Sequence, residues 1–306
     1  MTRHSPQRAL AKTSSLRERL LATLAQYRMS PKKSLGQNFL VSDQALDRLI
    51  AAADLSDKDL VIEIGAGLGQ ITRLLASKAR WVIAIEFDPQ LVAILQKELA
   101  PFKNITLIQT DAARCLWRGI IDYFPRQEEG KIKVIGNLPY YAAVPIIIGL
   151  EEIINQICLL IITLQKELTE RIMAQPGGKA YGELSVRLQY RYWIEKIAYL
   201  PPEAFYPRPK VASQIIALRP RPTPAVYVQD EALFFRLVQA AFSQRRKTLL
   251  NALSAHQELG VSRSEWPTIL AQAHIFPQRR GETLSLSEFA SLTELVFPRY
   301  FALRTS

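Results

Sequence analysis

A short glycine-rich turn, placed between an apolar segment and a helical one, restricts the folds open to this chain. The turn runs through Gly65, Gly67 and Gly69 and follows the apolar residues 60–64. Glycines at alternate positions let the backbone approach a ligand closely at the N-terminus of the next helix. The spacing G-x-G-x-G differs from the G-x-G-x-x-G of dinucleotide-binding proteins. Many tight turns look alike, so the function of this turn depends on the segments that follow it.

Strand and helix patterns alternate after this turn. Short apolar runs predict five strands: Leu60–Ile64, Trp81–Glu86, Ile105–Gln109, Lys133–Gly136 and Ile157–Leu164. Helical spacing predicts helices near 70–78, 89–99 and 143–154 between them. This repetition predicts an α/β fold with a Rossmann-like parallel sheet and helices on both faces. Two more strands, near Ser185–Tyr192 and Ala212–Leu218, are expected to complete the sheet.

The chain divides into three predicted parts. The segment Arg219–Thr223 reads RPRPT and indicates a linker. Beyond it, helical spacing predicts three helices with no strand between them: Asp230–Ala255, Arg263–Ala273 and Ser287–Val296. We therefore expect a basic N-terminal extension at 1–33, a domain built on the sheet at 34–219 and a small all-helical domain at 220–306.

Positive charge is concentrated at the two ends of the chain. The net charge is +11. Residues 1–33 hold 8 Lys and Arg against 1 Glu, a net +7, whereas residues 34–199 hold 18 against 19, a net −1. Residues 200–306 hold 13 against 8, a net +5. Positive flanks suit a polyanion that lies across a catalytic domain, although basic segments also serve solubility alone.

Several classes of protein are disfavoured. The longest apolar stretch, Val144–Leu164, is too interrupted for a membrane span, because it contains Glu151, Glu152, Asn155 and Gln156. The two cysteines, Cys115 and Cys158, match no metal-ligand spacing and are interpreted as buried thiols in a reducing cytosol. We expect a cytoplasmic monomer with no metal and no membrane contact. An organelle transit peptide remains the alternative for the Arg-rich start.

Acidic residues follow the next two predicted strands. Glu86 ends one strand, 21 residues after Gly65, and a carboxylate there can accept hydrogen bonds from both hydroxyls of a ribose. Asp111 follows the third strand and can receive an adenine amino group. Asp88 and Asp111 also fit helix caps, Asp88 especially because Pro89 follows it. Glycine or acid features at three successive strand ends favour a nucleoside-type cofactor.

The fourth predicted strand ends in Asn137-Leu138-Pro139-Tyr140. This Asn/Asp-x-Pro-aromatic pattern is the signature of methyltransferases that act on a planar amino nitrogen. The lone pair of an adenine amino group is delocalised into the ring, and the Asn137 side-chain oxygen and the Leu138 carbonyl can accept its two N–H bonds. Pro139 stiffens the turn, and the Tyr140 ring can stack on the base, so catalysis would rest on positioning and charge placement. The alternative is a plain Asn-x-Pro turn with core aromatics.

Beyond these motifs, several longer segments resemble one family, the ribosomal RNA adenine dimethyltransferases. The first, Lys32–Leu40, reads KKSLGQNFL and precedes the first predicted strand. The others are Gln165–Glu167, Tyr181–Val186, Pro201–Val211 (PPEAFYPRPKV) and Phe242–Leu249 (FSQRRKTL). The resemblance runs from about residue 30 to 255, and its late motifs are more similar to the housekeeping small-subunit branch than to the resistance-conferring large-subunit branch.

The resemblance implies a class I methyltransferase that uses S-adenosylmethionine, and it implies a role for each matching residue. Cofactor contacts would come from Asn38, Leu40, Gly65, Gly67, Glu86, Asp111 and Asn137. Phe205 would be the second aromatic face around a flipped target adenine, opposite Tyr140. Contacts to RNA are expected from Arg208 and Lys210 and from Arg245, Arg246 and Lys247, which lie on the predicted helix 230–255.

The implied function is dimethylation of the N6 amino groups of two adjacent adenosines in the 3′-terminal hairpin loop of small-subunit rRNA. The partner would be that rRNA or a pre-ribosomal particle. Tyr141 stands where Asn is common, and Ala142-Ala143-Val144 replaces a stretch that contains Ser or Thr, which affects pocket width. Three alternatives remain: a large-subunit rRNA methyltransferase, an assembly or transcription factor that lost activity, and a DNA adenine methyltransferase.

Overall fold

The computed structural model describes residues 14–124, 131–139 and 142–305. The chain forms two compact units, each with its own core. The first unit comprises the residues up to Lys166 together with Glu195–Pro220, and the second comprises Glu167–Ile194 and Arg221–Ser306. Residues 1–13 of the predicted extension lie outside the described part of the chain.

A seven-stranded sheet forms the centre of the first unit, and two more short strands pair separately. The strands are β1 Phe39–Leu40, β2 Leu60–Ile64, β3 Trp81–Glu86, β4 Ile105–Gln109, β5 Ile132–Asn137, β6 Ile157–Gln165, β7 Tyr192–Leu200, β8 Phe205–Tyr206 and β9 Ser213–Pro220. The order in the large sheet is β4-β3-β2-β5-β6-β9-β7, and the separate pair is β1 with β8.

The sheet is mixed, not wholly parallel. Strands β2 to β6 pair in parallel, whereas β9 runs antiparallel to β6, with Ile162 opposite Ile216. The central strands are nearly continuous apolar runs because helices cover both faces of a parallel sheet. The expected α/β class is confirmed. Parallel pairing brings the carboxyl ends of β2, β3 and β5 to the same edge of the sheet.

Three of the six α-helices described in the first unit begin at a side-chain cap, formed by Ser15, Ser42 and Asp88. The α-helices are α1 Leu16–Gln26, α2 Asp43–Ala53, α3 Gln70–Ala76, α4 Pro89–Glu98, α5 Trp117–Ile121 and α6 Ala143–Gly149. The Ser15 hydroxyl accepts the Glu18 N–H at the start of α1, and Asp88 caps α4 directly before Pro89.

The N-terminal helix α1 belongs to the first unit and is not a separate extension. Its buried residues Leu16, Leu20 and Leu24 pack into the cores of that unit. The Leu16 N–H also donates to the Asp43 carboxylate over 3.1 Å. The boundary expected at residue 33 is therefore wrong for the described residues, because an apolar stripe on a helix must be buried.

The second unit contains residues that we expected in the catalytic domain. Its helices are α7 Lys166–Met173, α8 Glu183–Arg191, α9 Glu231–Phe242, α10 Leu249–Leu253, α11 Trp266–Gln272 and α12 Leu286–Thr305. Tyr190 of α8 stacks on Phe234 of α9, with ring centroids 4.9 Å apart. Residues 167–194 therefore share their core with the C-terminal helices, which corrects the expected span 34–219.

Two secondary-structure predictions were wrong. Ser185–Tyr192 is the helix α8 and not a strand: Val186, Leu188 and Tyr190 alternate, but all three are buried because α8 is covered on several sides. The predicted helix 230–255 is interrupted by a turn at 243–247, where Thr248 caps the new helix α10. Within 221–305 every regular element is helical, as expected, and among the described residues no helix is both long and apolar enough to cross a membrane.

Candidate active site

A cleft opens at the carboxyl ends of β2, β3 and β5 and holds, with its open mouth, about 650 Å³ of empty space. Its lining comes from residues 35–39, the glycines Gly65 and Gly67, Glu86, Phe87, Leu91 and residues 137–139. Residues of the segment Lys32–Leu40, of the glycine turn and of the Asn137 motif therefore line the same cleft.

The glycine turn forms one wall of the cleft. The N–H groups of Gly65 and Ala66 both donate to the Ile85 carbonyl, which fixes the turn against β3. Gly65 and Gly67 have φ values of +81° and +60°, in the left-handed region that favours glycine. A Cβ at Gly67 would also lie 3.1 Å from the Phe39 ring. The turn can therefore offer bare backbone to a ligand.

Glu86 is a buried carboxylate at the edge of the cleft. Its Oε2 accepts the Gly67 N–H at 2.9 Å, and its Oε1 accepts the N–H groups of Phe87 and Asp88 at 2.8 and 2.9 Å. Burial raises the pKa of Glu86, and these three backbone donors oppose that shift. A carboxylate has about four lone-pair positions, so one is left for a ligand hydroxyl.

Residues 32–38, which we name the strap, run across the cleft. Lys32 and Gln37 bind the Asp88 carboxylate, and the chain then continues into β1. Strand β1 pairs antiparallel with β8, placing Phe39 opposite Tyr206. The Val41 N–H adds a bond of 2.7 Å to the Ala204 carbonyl. The strap is thus tied down at both of its ends.

The strap contacts Asn137, the first residue of the Asn-Leu-Pro-Tyr motif at the end of β5. Its Nδ2 donates to the backbone carbonyl of Asn38 at 2.8 Å. Because a carbonyl can only accept, the amide must face Asn38 with its NH₂ group and present Oδ1 elsewhere. Oδ1 accepts no hydrogen bond from any residue that the structure describes. Leu138 and Pro139 line the cleft beside it, whereas Tyr140 and Tyr141 lie outside the described residues.

A glycine before Asn137 is required by the packing of this turn. A Cβ at Gly136 would lie 2.7 Å from the Leu138 side chain and 3.1 Å from the Ile64 carbonyl of β2. A Cβ there would force the Leu138 side chain to move and the Ile64 carbonyl to give by a few tenths of an ångström. Gly136 therefore lets the end of β5 approach β2 closely, which brings Asn137 beside the glycine turn.

Three of the expected site residues do not line this cleft. Leu40 and Phe205 are only 5% and 4% exposed, and both pack into the core of the first unit. Asp111 accepts the Ala113 N–H at 3.0 Å, which closes a turn at 112–114. The next helix begins only at Trp117, so this bond is not the helix cap that we considered as the alternative. The cleft therefore brings together Asn38, Gly65, Gly67, Glu86 and residues 137–139 from the expected set.

The residues expected to contact RNA are exposed. Arg245, Arg246 and Lys247 lie in the turn 243–247 of the second unit, and Arg245 donates to the Lys179 carbonyl at 3.0 Å. Arg208 and Lys210 lie in the first unit, where Arg208 forms an ion pair with Glu203. Arg246 and Lys247 form no ion pair within the described part of the chain.

Sequence reasoning missed several features of the cleft. Gln37, Phe87 and Leu91 line it, and none was expected to. The ion pair of Lys32 with Asp88 was also missed, although both residues lie in segments that we singled out. A contact between residues 56 positions apart has no local signal in the sequence, so only the fold reveals it.

Comparison with known proteins identifies the family. A model of the family "Ribosomal RNA adenine dimethylase" matches residues 28–292. The chain belongs to this family. Two curated relatives are both named ribosomal RNA small subunit methyltransferase A. The one from Bacillus cytotoxicus is 42% identical, covering 89% of this chain and 93% of that protein, and the one from Moorella thermoacetica is 43% identical, covering 90% and 96%.

Solved structures of methyltransferases have the same fold. A dimethyladenosine transferase from Plasmodium falciparum superposes with a TM-score of 0.71 and covers 85% of this chain and 98% of that one. The two sequences are 23% identical, so this likeness concerns the fold alone. The expected class I methyltransferase architecture and the resemblance to the rRNA adenine dimethylases are both confirmed.

Proposed function

We propose that this protein transfers methyl groups from S-adenosylmethionine to the N6 amino groups of two adjacent adenosines in the 3′-terminal hairpin loop of small-subunit rRNA. The observation that carries the proposal is the Asn137 side chain, whose amide is fixed by Asn38 so that its oxygen remains available as an acceptor at the cleft. Membership of the rRNA adenine dimethylase family and two relatives named for the small subunit support the choice of RNA.

The cleft residues fit S-adenosylmethionine. When bound, this cofactor supplies an electrophilic methyl group on a positively charged sulfur. The Gly65–Gly67 turn offers backbone without side chains, and Glu86 keeps about one lone-pair position for a ribose hydroxyl. Asn38 lines the cleft from the strap. The acidic Glu86 and the absence of a basic side chain among the described lining residues suit a cationic ligand.

Asn137 and Leu138 would act on the target amino group. The Asn137 Oδ1 and the Leu138 carbonyl would each accept one N–H, which draws the nitrogen toward a tetrahedral shape. The amino nitrogen would then direct its lone pair at the methyl group that the bound cofactor supplies, and one amino proton would leave to solvent. Acceptors held in place in advance cost no reorganisation in the transition state.

Aromatic and basic residues would hold the RNA. We assign stacking on the flipped adenine to Tyr140, and contacts to phosphates to Arg245, Arg246 and Lys247. Arg208 and Lys210 would contribute further phosphate contacts from the first unit. The buried ring of Phe205 supports β8 in this structure, so a stacking role for it would require β8 to move.

The proposal is tested on ribosomal RNA directly. Small subunits from cells that lack the gene should carry two unmethylated adjacent adenosines near the 3′ end, and the purified protein with S-adenosylmethionine should add four methyl groups to them. Mass mapping of RNA fragments measures both states. Methylation found only in large-subunit RNA, or in no RNA at all, would overturn the assignment.

A further inference from the structure

Asp88 occupies an unusual position for a residue that caps a helix. Its side chain is 1% exposed, and its two oxygens bind two different residues of the strap. Oδ1 accepts Lys32 Nζ at 2.9 Å, and Oδ2 accepts Gln37 Nε2 at 2.8 Å. The Gln37 Oε1 in turn accepts the Lys32 N–H at 2.7 Å. Lys32 and Gln37 are therefore bonded to each other and to the same carboxylate, so Asp88 fixes the strap at both of these residues.

The same strap ends at the residue that contacts Asn137. Asn38 follows Gln37 directly, and its carbonyl accepts Asn137 Nδ2 at 2.8 Å. The Asn38 side chain donates to the Gly36 carbonyl at 3.0 Å, which keeps the end of the strap compact. A displacement of Gln37 would consequently move the carbonyl that orients the Asn137 amide.

We propose that Asp88 is a positioning residue for methyl transfer. Through Gln37 and Lys32 it fixes the strap, so that the Asn38 carbonyl takes up the NH₂ group of Asn137 and leaves Oδ1 facing the substrate. Asp88 itself would touch neither the cofactor nor the adenine. The inference rests on the proposed methyl transfer for its kinetic test, but its structural part can be tested without any reaction.

The hydrogen bonds to Asp88 all run toward its oxygens, so position 88 requires a side chain that accepts on both sides. Burial acts to raise the pKa of Asp88, but hydrogen bonds from Lys32, the Gln90 N–H and Gln37 outweigh it and lower that pKa. The side chain is thus an acceptor on both oxygens. An asparagine at position 88 would turn an NH₂ group toward Gln37 Nε2, and a glutamate at position 37 would bring a second carboxylate against Asp88.

This polarity suggests a rescue experiment. Asp88→Asn and Gln37→Glu each place two like groups face to face, whereas the double variant pairs the new Asn NH₂ with the new Glu oxygen. The second Glu oxygen still accepts the Lys32 N–H. Tyr27→Phe is the matched control, because it removes another bond, of 2.9 Å from Tyr27 to Glu98, that also ties the N-terminal segment to α4.

We expect each single variant to slow single-turnover methylation at saturating cofactor by about 10- to 100-fold, the scale of a misplaced catalytic group. The double variant should return to within about threefold of the unmodified protein, and Tyr27→Phe should stay there as well. In an Asn137→Ala background, Asp88→Asn should slow the reaction no further. Equal slowing in both backgrounds, or no rescue in the folded double variant, would overturn the proposal.

The structural part is measured by NMR on the protein alone. The side-chain NH₂ of Asn137 should be protected from hydrogen exchange in the unmodified protein, lose that protection in both single variants, and regain it in the double variant. Unchanged protection in the single variants would overturn the role of Asp88. If the unmodified protein methylates no RNA while protection follows this pattern, the proposed function fails, whereas the orientation of the Asn137 amide by Asp88 stands.

Discussion

Glu86 accepts the backbone N–H of Gly67 at 2.9 Å, a bond that joins the ends of two neighbouring parallel strands inside the cleft. Because Glu86 also faces the space proposed for a ribose, Glu86→Ala should weaken S-adenosylmethionine binding by roughly 1–3 kcal/mol, the scale of one hydrogen bond to a charged group. Calorimetry measures this change. Glu98→Gln, at the end of α4, is the control and should bind normally.

A cofactor analogue without ribose hydroxyls separates a direct contact from an effect on the glycine turn. The unmodified protein should bind this analogue more weakly than S-adenosylmethionine, whereas Glu86→Ala should bind the two about equally. If removal of the hydroxyls weakens binding equally in both proteins, Glu86 does not contact the ribose.

The buried carboxyl group of Glu63, on β2, should make the stability of the protein depend on pH. It is 2% exposed, and its Oε2 has no hydrogen-bond partner among the described residues. Burial, with a smaller contribution from the charge of Glu86, raises the pKa of Glu63 to about 8. The folded protein therefore holds a proton that the unfolded chain releases above a pKa of 4.5, so stability should fall as the pH rises from about 5 to about 8.

Glu63→Gln removes this titration and should be more stable than the unmodified protein at pH 8 by roughly 1–4 kcal/mol. The two proteins should differ less at pH 5. Urea denaturation at both pH values measures the difference. An unchanged stability difference between pH 5 and pH 8 would show that Glu63 does not titrate on unfolding.

Gly281 tests the packing of the second unit. A Cβ at this position would lie 2.5 Å from the Ala241 carbonyl oxygen of α9. Gly281→Ala should therefore destabilise the unit by about 1–3 kcal/mol, because the α9 backbone cannot move aside cheaply. Gly182→Ala is the matched control in the same unit, since a Cβ there meets no atom within 4 Å. Denaturation followed by fluorescence of the buried Trp266 should separate the two variants, and equal midpoints would contradict the prediction.

The basic turn 243–247 gives a prediction about salt. Alanine at Arg245, Arg246 and Lys247 should weaken RNA binding and flatten the log–log dependence of affinity on salt by about one unit for each phosphate that the variant no longer neutralises. The control removes three exposed charges, Lys78, Arg80 and Lys103, near the amino ends of β3 and β4. Titrations at several salt concentrations should change only for the first variant. If the salt dependence of RNA affinity has the same slope in both variants, the turn does not contact RNA and is an ordinary solvated surface.

The strands that carry the cleft were predictable, and the reason is physical. Strands β2 and β3 have the bounds expected from the sequence, and β5 extends one residue further at each end, because buried parallel strands are short apolar runs between turns. That the glycine turn, Glu86 and Asn137 lie close together was predictable for a second reason. Residues at the carboxyl ends of parallel strands meet at one edge whatever the details of packing.

Other features depend on long-range contacts that leave no local pattern. Residues 183–191 alternate like a strand but form α8, because burial on several sides removes the periodicity that would mark a helix. The burial of Phe205 follows from the pairing of β1 with β8, which links residues far apart in the chain. The bonds from Lys32 and Gln37 to Asp88 have the same origin.

The proposed role of Asn137 is tested most directly by single-turnover methyl transfer to small-subunit particles at saturating cofactor. An interaction that strengthens in the transition state affects the rate constant more than the affinity. Asn137→Ala should keep S-adenosylmethionine affinity within a few-fold and slow methylation by roughly 100-fold or more, the scale of removing one oxyanion-type hydrogen bond. If Asn137→Ala methylates the particles at the rate of the unmodified protein, the proposed chemistry of this cleft is wrong.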